Sequence, residues 1–190
     1  VFGLVHLATT VNLSITLLTA LSWLIYVWIY TPLKVFTAWQ TPIGAIPGAM
    51  PALLGAAAGG AAFSLNGLAL FAVVYFWQFP HAMAIAWLYR KQFAEAGLKV
   101  ASVTDPTGRT ATTIAVVGAA VLLPVSLLPL FAAAVGWGYA VATAAAGIAY
   151  LAGSIAFLRA PTDRTARTLL RVSLVYLPGV FVAILLAVFL

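Results

Sequence analysis

Residues 76–93 read FWQFPHAMAIAWLYRKQF, an apolar run broken by Gln78, Pro80 and His81 and closed by Arg90 and Lys91. His81 precedes Arg90 by nine residues, which at helical rise places it about 13 Å below the basic end. An ionisable side chain at that depth in an apolar helix is a functional candidate by default. A neutral imidazole there can hydrogen-bond to a neighbouring helix, or can ligate a metal or haem iron; His81 alone leaves both readings open. Gln78 can donate and accept. Pro80 has no N–H, so the carbonyl one turn earlier needs another partner, from Gln78 or from a neighbouring helix. His6 reads as structural.

The second chemical feature is basic. YTPLK (30–34) ends an apolar segment on Lys34, and Arg90, Lys91, Lys99 and Arg109 cluster further along. These residues are either anchors at a membrane interface or a basic mouth for a phosphate or an anionic headgroup. Several other chemistries find no support. The chain has no cysteine, hence no thiol nucleophile and no Cys-based metal site. HExxH, P-loop, GxSxG and dinucleotide fingerprints are absent. The carboxylates are Glu95, Asp105 and Asp163, far apart in sequence for a magnesium site that wants several oxygen ligands. DPTGR (105–109) has ordinary turn chemistry.

The elements that must position these residues follow from composition. Of 190 residues, 65% are hydrophobic and 6% charged, and mean hydropathy is +1.14. Soluble domains carry about 25% charged residues, so the bilayer is the expected solvent. The net charge of +6 arises from basic residues isolated between apolar spans, which argues against a nucleic-acid partner. One domain over 1–190 is expected. The spans read as a partial helix over Val1–Thr10, then Asn12–Thr31, Pro42–Ala62, Asn66–Tyr89, Thr112–Ala134, Gly136–Leu158 and Arg171–Leu190: an all-α membrane protein with six full helices and one partial N-terminal one. All charged residues fall in or beside alternate connections, 32–41, 90–111 and 159–170. The positive-inside rule places those loops in the cytoplasm and Leu190 on the far side. No basic n-region precedes VFGLVHLATT, which reads as a helix entered in its middle, so an incomplete chain is expected.

In PIGAIPGAMPALLGAAAGGAA (42–62), Pro47 and Pro51 should bend the helix. Gly44, Gly48, Ala52, Gly55 and Gly59 line up at helical spacing, giving a smooth face for close helix packing or a flat wall for a ligand or lipid tail. LLPVSLLP (122–129) predicts another bend.

YTPLK, IGAIPGAMP (43–51), WQFPHAMAIAW (77–87), AGLKV (96–100), DPTGR and LLPVSLLP together resemble, in order and over nearly the whole chain, the UbiA-type intramembrane prenyltransferases. Within them they resemble the branch that converts protohaem IX to haem O. The resemblance implies a UbiA-like transmembrane bundle of nine helices, of which the first are missing here. It implies transfer of a farnesyl group from farnesyl diphosphate to a vinyl group of haem B, with Mg²⁺ assisting loss of diphosphate. By position, His81 and Gln78 become haem-binding candidates, and Lys34, Arg90 and Lys91 diphosphate-binding candidates. No catalytic residue and no metal ligand is assigned. Contact with haem A synthase or the oxidase-assembly machinery, in a bacterial inner membrane, also follows from the resemblance.

The chain departs from the family pattern in several places. The family's Asn/Asp-rich motif after its second helix has no counterpart. Lys91-Gln92-Phe93 stands where acidic residues and a tyrosine are usual. Val35 and Phe36 replace a basic pair, Gln40 an asparagine, and Ala82-Met83 bulky aromatics. A relative that binds haem or a partner without catalysis is therefore the alternative. A quinone-precursor acceptor and a transporter were weaker options, the first disfavoured by WQ-P-H and the second by the lack of an internal repeat. The 90–111 loop is a lid candidate.

Overall fold

The computed structural model describes residues 2–132 and 135–189, and among these every regular element is helical. The helices are α1 (Phe2–Thr10), α2 (Leu13–Leu24), a π-helical stretch (Ile25–Tyr30), α3 (Thr31–Leu33), α4 (Gln40–Ala58), α5 (Leu65–Leu88), α6 (Arg90–Glu95), α7 (Ala101–Thr104), α8 (Arg109–Val125), α9 (Pro129–Ala132), α10 (Trp137–Arg159) and α11 (Asp163–Phe189). Six stretches are long and apolar enough to cross a membrane: Leu13–Leu33, Gln40–Ala58, Leu65–Leu88, Arg109–Phe131, Trp137–Arg159 and Asp163–Ala187. The protein is an all-α integral membrane protein. The expected ends at Val1, Ala134 and Leu190 lie outside the described residues.

Helix starts follow from short polar caps. Asn12 Oδ1 accepts from the Ile15 N–H at 2.8 Å to cap α2, while its Nδ2 donates to the Ala57 carbonyl of α4 at 3.2 Å. Ser64 caps α5 through the Gly67 N–H at 3.1 Å. Such caps satisfy donors that a helix start leaves open.

The largest correction concerns the last span, which begins at Asp163 rather than Arg171. Thr162 and Thr165 cap reciprocally, each N–H donating to the other's hydroxyl at 3.1–3.2 Å, and Asp163 sits in the first turn, where negative charge is favoured. Ala166 and Leu169 are fully buried while Arg164, Arg167 and Arg171 are exposed. The helix is thus amphipathic for two turns before it becomes uniformly apolar, and a search for uninterrupted hydrophobicity starts it too late. The connection therefore shrinks to Ala160–Thr162. Likewise α8 starts at Arg109, and the 90–111 connection contains α6 and α7. Pro47 and Pro51 lie inside α4, which stays helical through both. LLPVSLLP does interrupt its helix: α8 stops at Val125 and the chain turns over Ser126–Leu128 before α9.

The hub is α5, which packs against α4, α8 and α11. One core holds Val73, Met83 and Trp87 of α5 with Leu122, Tyr150, Phe157, Leu169 and Tyr176 from α8, α10 and α11. A smaller core joins Ile15 and Leu18 of α2 to Met50, Leu53 and Ala57 of α4. Gly118 lets α8 approach the Pro80 turn, since a Cβ there would lie 2.6 Å from Phe79 Cβ and 3.1 Å from Pro80 Cδ.

The DPTGR turn is built around one carboxylate. Asp105 Oδ1 accepts from the Thr107 hydroxyl at 2.6 Å and its N–H at 3.0 Å, and Oδ2 accepts from the Thr110 N–H and hydroxyl, each at 2.8 Å. These donors, the Thr107 hydroxyl foremost, hold the carboxyl well below the usual carboxylate range. A depressed pKa contributes stability above the unfolded value of about 3.9 and loses it as pH falls toward the folded value. Asp105→Asn is expected to lower Tm in detergent and to speed amide exchange at Thr107 and Thr110 near neutral pH. The difference from wild type should shrink as the sample is acidified below that range.

Candidate functional site

His81, Gln78 and Lys34 converge on one cavity of about 300 Å³ between α4, α5 and the end of α3. Tyr30, Gln40 and Met83 also line it. Phe93, Leu98 and Val100 form its roof, held down where the Lys99 N–H donates to the Lys34 carbonyl at 2.7 Å. The 90–111 segment thus covers the cavity.

The hydrogen bonds around His81 select its tautomer. The Ser173 hydroxyl donates its only proton to the Leu170 carbonyl at 2.6 Å. Toward His81 Nδ1, at 2.8 Å, Ser173 Oγ must therefore accept. The proton accordingly sits on Nδ1, and Nε2 keeps its lone pair for a ligand or a proton. The ring stacks on Trp77 with centroids 4.6 Å apart. Trp77 Nε1 donates to the Ser173 carbonyl at 2.8 Å, and the Tyr150 hydroxyl donates to the Trp77 carbonyl at 3.0 Å. Three helices thereby fix one imidazole.

Gln78 does not serve the carbonyl freed by Pro80. Its Nε2 donates to Val74 on its own helix and across to the Ala45 carbonyl of α4, both at 3.1 Å. Relief near the proline comes from α10, where Tyr150 reaches the Trp77 carbonyl. The smooth face of α4 is used for packing along half its length. Gly48 abuts the Gln78 amide and Gly44 the Tyr30 ring, whereas a Cβ at Gly55 would meet nothing within 4 Å.

Lys34 is placed by the π-helical stretch. Its Nζ lies 4.3 Å from the Tyr30 ring centroid and 5.5 Å from that of Tyr26, within cation–π range. The wider turn is closed by Thr31, whose N–H and hydroxyl both go to the Tyr26 carbonyl. Lys34 is the one charged side chain lining this cavity, so the cavity favours an anion.

The structure separates Arg90 and Lys91 from that cavity. Arg90 Nη1 donates to the Trp87 carbonyl at 2.6 Å and to Asp163 Oδ1 at 3.0 Å, with its guanidinium 4.6 Å from the Trp87 ring. It ties the end of α5 to the start of α11. Lys91 is exposed on α6. His6 lies on α1, which does not reach the site.

The residues present do not fit a magnesium ion. No group of three or more His, Cys, Asp or Glu comes together among the described residues. Asp105 is engaged by its own turn and Asp163 by Arg90, while Glu95 is exposed; none of the three lines the cavity.

Trp77, Tyr150, Ser173 and Tyr30 were not picked out from the sequence. Trp77 stands four residues before His81, a spacing that brings two helical side chains together; this was a readable signal. Ser173 lies 92 residues away from His81, and nothing local marks it.

Comparison with known proteins matches residues 1–188 to the UbiA prenyltransferase family. A protein of Rhodopirellula baltica named protoheme IX farnesyltransferase is 45% identical over 167 residues, covering 84% of this chain and 58% of that protein. One of the same name from Opitutus terrae is 38% identical over 184 residues, covering 96% and 60%. The mitochondrial protein of that name from Arabidopsis thaliana is 34% identical over 181 residues, covering 93% and 41%. The chain thus spans roughly 60% or less of the length of these relatives. No solved structure matches it.

The two glycines of α4 give a direct test of the packing. Alanine gains about 1 kcal/mol over glycine from helix propensity, so Gly55→Ala, with open space around it, should be neutral or stabilising. Gly48→Ala drives a methyl into the Gln78 amide, and overpacking of this kind costs about 1–3 kcal/mol. Thermal unfolding in detergent should rank Gly48→Ala below wild type and Gly55→Ala at or above it.

Proposed function

The chain belongs to the UbiA prenyltransferase family, and on that premise we propose that it acts in transfer of a farnesyl group from farnesyl diphosphate to a vinyl group of haem B, forming haem O. The observation that carries this reading is the convergence of His81 Nε2, Gln78 and Lys34 on one cavity with no carboxylate in its lining. In the reaction the bond between farnesyl C1 and the diphosphate oxygen breaks, the vinyl terminus bonds to that allylic carbon, and water supplies the hydroxyl. His81 offers its free nitrogen to the haem, held in orientation by Ser173 and stacked on Trp77. Gln78 borders the same space, and Lys34 takes negative charge on the departing diphosphate. Arg90 and Lys91 contribute basic charge outside the cavity, Arg90 while clamped to Asp163. The family's Mg²⁺ would neutralise diphosphate charge, and its ligands are not among the described residues of this chain.

Lys34, Arg90, Lys99, Arg109 and Arg164 all belong to connections at one end of the bundle. In this reading that end faces the cytoplasm of a bacterial cell, so the anionic donor arrives from the water side and the farnesyl tail from the bilayer. Handover of haem O to haem A synthase or the oxidase-assembly machinery would follow.

The test is an assay of the purified chain in detergent with haem B, farnesyl diphosphate and Mg²⁺, the Rhodopirellula baltica relative serving as positive control. Mass spectrometry should show haem gaining the hydroxyethyl-farnesyl group. His81→Ala is expected to weaken haem binding, followed by the Soret band, by roughly tenfold or more, the loss of about 1.4 kcal/mol. Lys34→Ala should raise the KM for farnesyl diphosphate by a similar factor while haem affinity holds, as expected for loss of a hydrogen bond to a charged group. Absence of product together with haem binding indifferent to His81 would overturn the reading.

A further inference from the structure

A second recess of about 480 Å³ lies between α10 and α11, well within the size range of small-molecule sites of about 300–1,000 Å³. It shares no lining residue with the cavity around His81. Its apolar walls come from Ala142, Ala146 and Ala149 of α10 and from Val175, Gly179 and Ala183 of α11. These side chains are too small to fill the space between the two helices, and a Cβ on Gly179 would meet nothing within 4 Å.

Two polar features set this trough apart from a plain small-residue stripe. Arg171 lines it toward the charged end of the bundle and is exposed, and Arg164 and Arg167 continue the same face of α11. The neighbouring acid, Asp163, is engaged by Arg90. Further in, Thr143 and Tyr176 line the trough at 1% and 2% exposure, and their hydroxyl oxygens have no hydrogen-bond partner. Thr143 stands beside Tyr139 and Tyr176 beside Ser126, but neither pair reaches hydrogen-bond geometry. Tyr176 lies five residues beyond Arg171, about 7.5 Å along the helix.

We propose that this trough binds one anionic phospholipid, its phosphate on Arg171 and one acyl chain between α10 and α11. Charge complementarity selects the headgroup, since uncompensated arginines at the rim favour a net negative lipid over a zwitterionic one. The hydroxyls favour an occupant with ester carbonyls below its phosphate, because a buried polar group gains from any acceptor brought to it. A hydrocarbon helix or a second copy of the chain would supply neither group at that position.

The experiment is native mass spectrometry of the detergent-purified chain with dioleoyl phosphatidylglycerol, dioleoyl phosphatidylcholine or inorganic phosphate. The expected result is one retained phosphatidylglycerol per chain, with phosphatidylcholine and free phosphate each held at least about tenfold more weakly. Arg171→Ala, an exposed change that should not disturb folding, is expected to reduce phosphatidylglycerol retention by roughly the same factor. Ala146→Leu, which fills the trough, should abolish it. Equal retention of the two lipids would overturn the proposal, as would free phosphate competing as well as the lipid. So would retention unchanged in Arg171→Ala, or a dimer that Ala146→Leu dissociates.

Discussion

Inside a bilayer a polar side chain has no water to fall back on, so each must find its partner within the protein. The polar residues of α5 impose that condition on every helix around it. Gln78 reaches the Ala45 carbonyl of α4, Trp77 and His81 reach Ser173 of α11, and Tyr150 of α10 reaches back to the Trp77 carbonyl. Each bond crosses between helices whose apolar surfaces could otherwise slide past one another, since lipid tails compete equally well for those surfaces. The polar groups therefore set the register that the apolar contacts fill.

The basic residues at the charged end do different work. Arg90 is neutralised by Asp163, covered by Trp87 and bonded to a backbone carbonyl, so it joins two helices. Lys34 has aromatic faces near it and lines an otherwise uncharged cavity. Arg164, Arg167 and Arg171 project outward along α11. Formal charge alone does not separate these roles; the partner each residue already has does.

The spans were legible because about 20 consecutive apolar residues leave few alternatives, and the alternation of charged and uncharged connections fixed their order. The start of α11 was misjudged because its first two turns are amphipathic. The importance of His81 and Gln78 was legible from their depth in an apolar helix, and Lys34 from its place at a helix end. Arg90 could not be told apart from Lys34 without knowing that Asp163, 73 residues away, folds back to meet it. The Ser173 contact was hidden for the same reason. The π-helical stretch has no compositional mark, since IYVWIY would suit an ordinary helix equally well.

That stretch has a consequence for how the chain tolerates change in length. A π turn accommodates one residue more than an α turn over the same rise. Removal of a single residue from Ile25–Tyr30 would let the segment relax into regular α-helix, turning all that follows by about 100°. The lysine beyond it would swing away from the tyrosine beneath it and from the cavity. The same loss within α10 would shift a helix face, but this one would uncouple the charged group from its pocket while leaving hydropathy and span length almost unchanged. Counting residues here matters more than their identity.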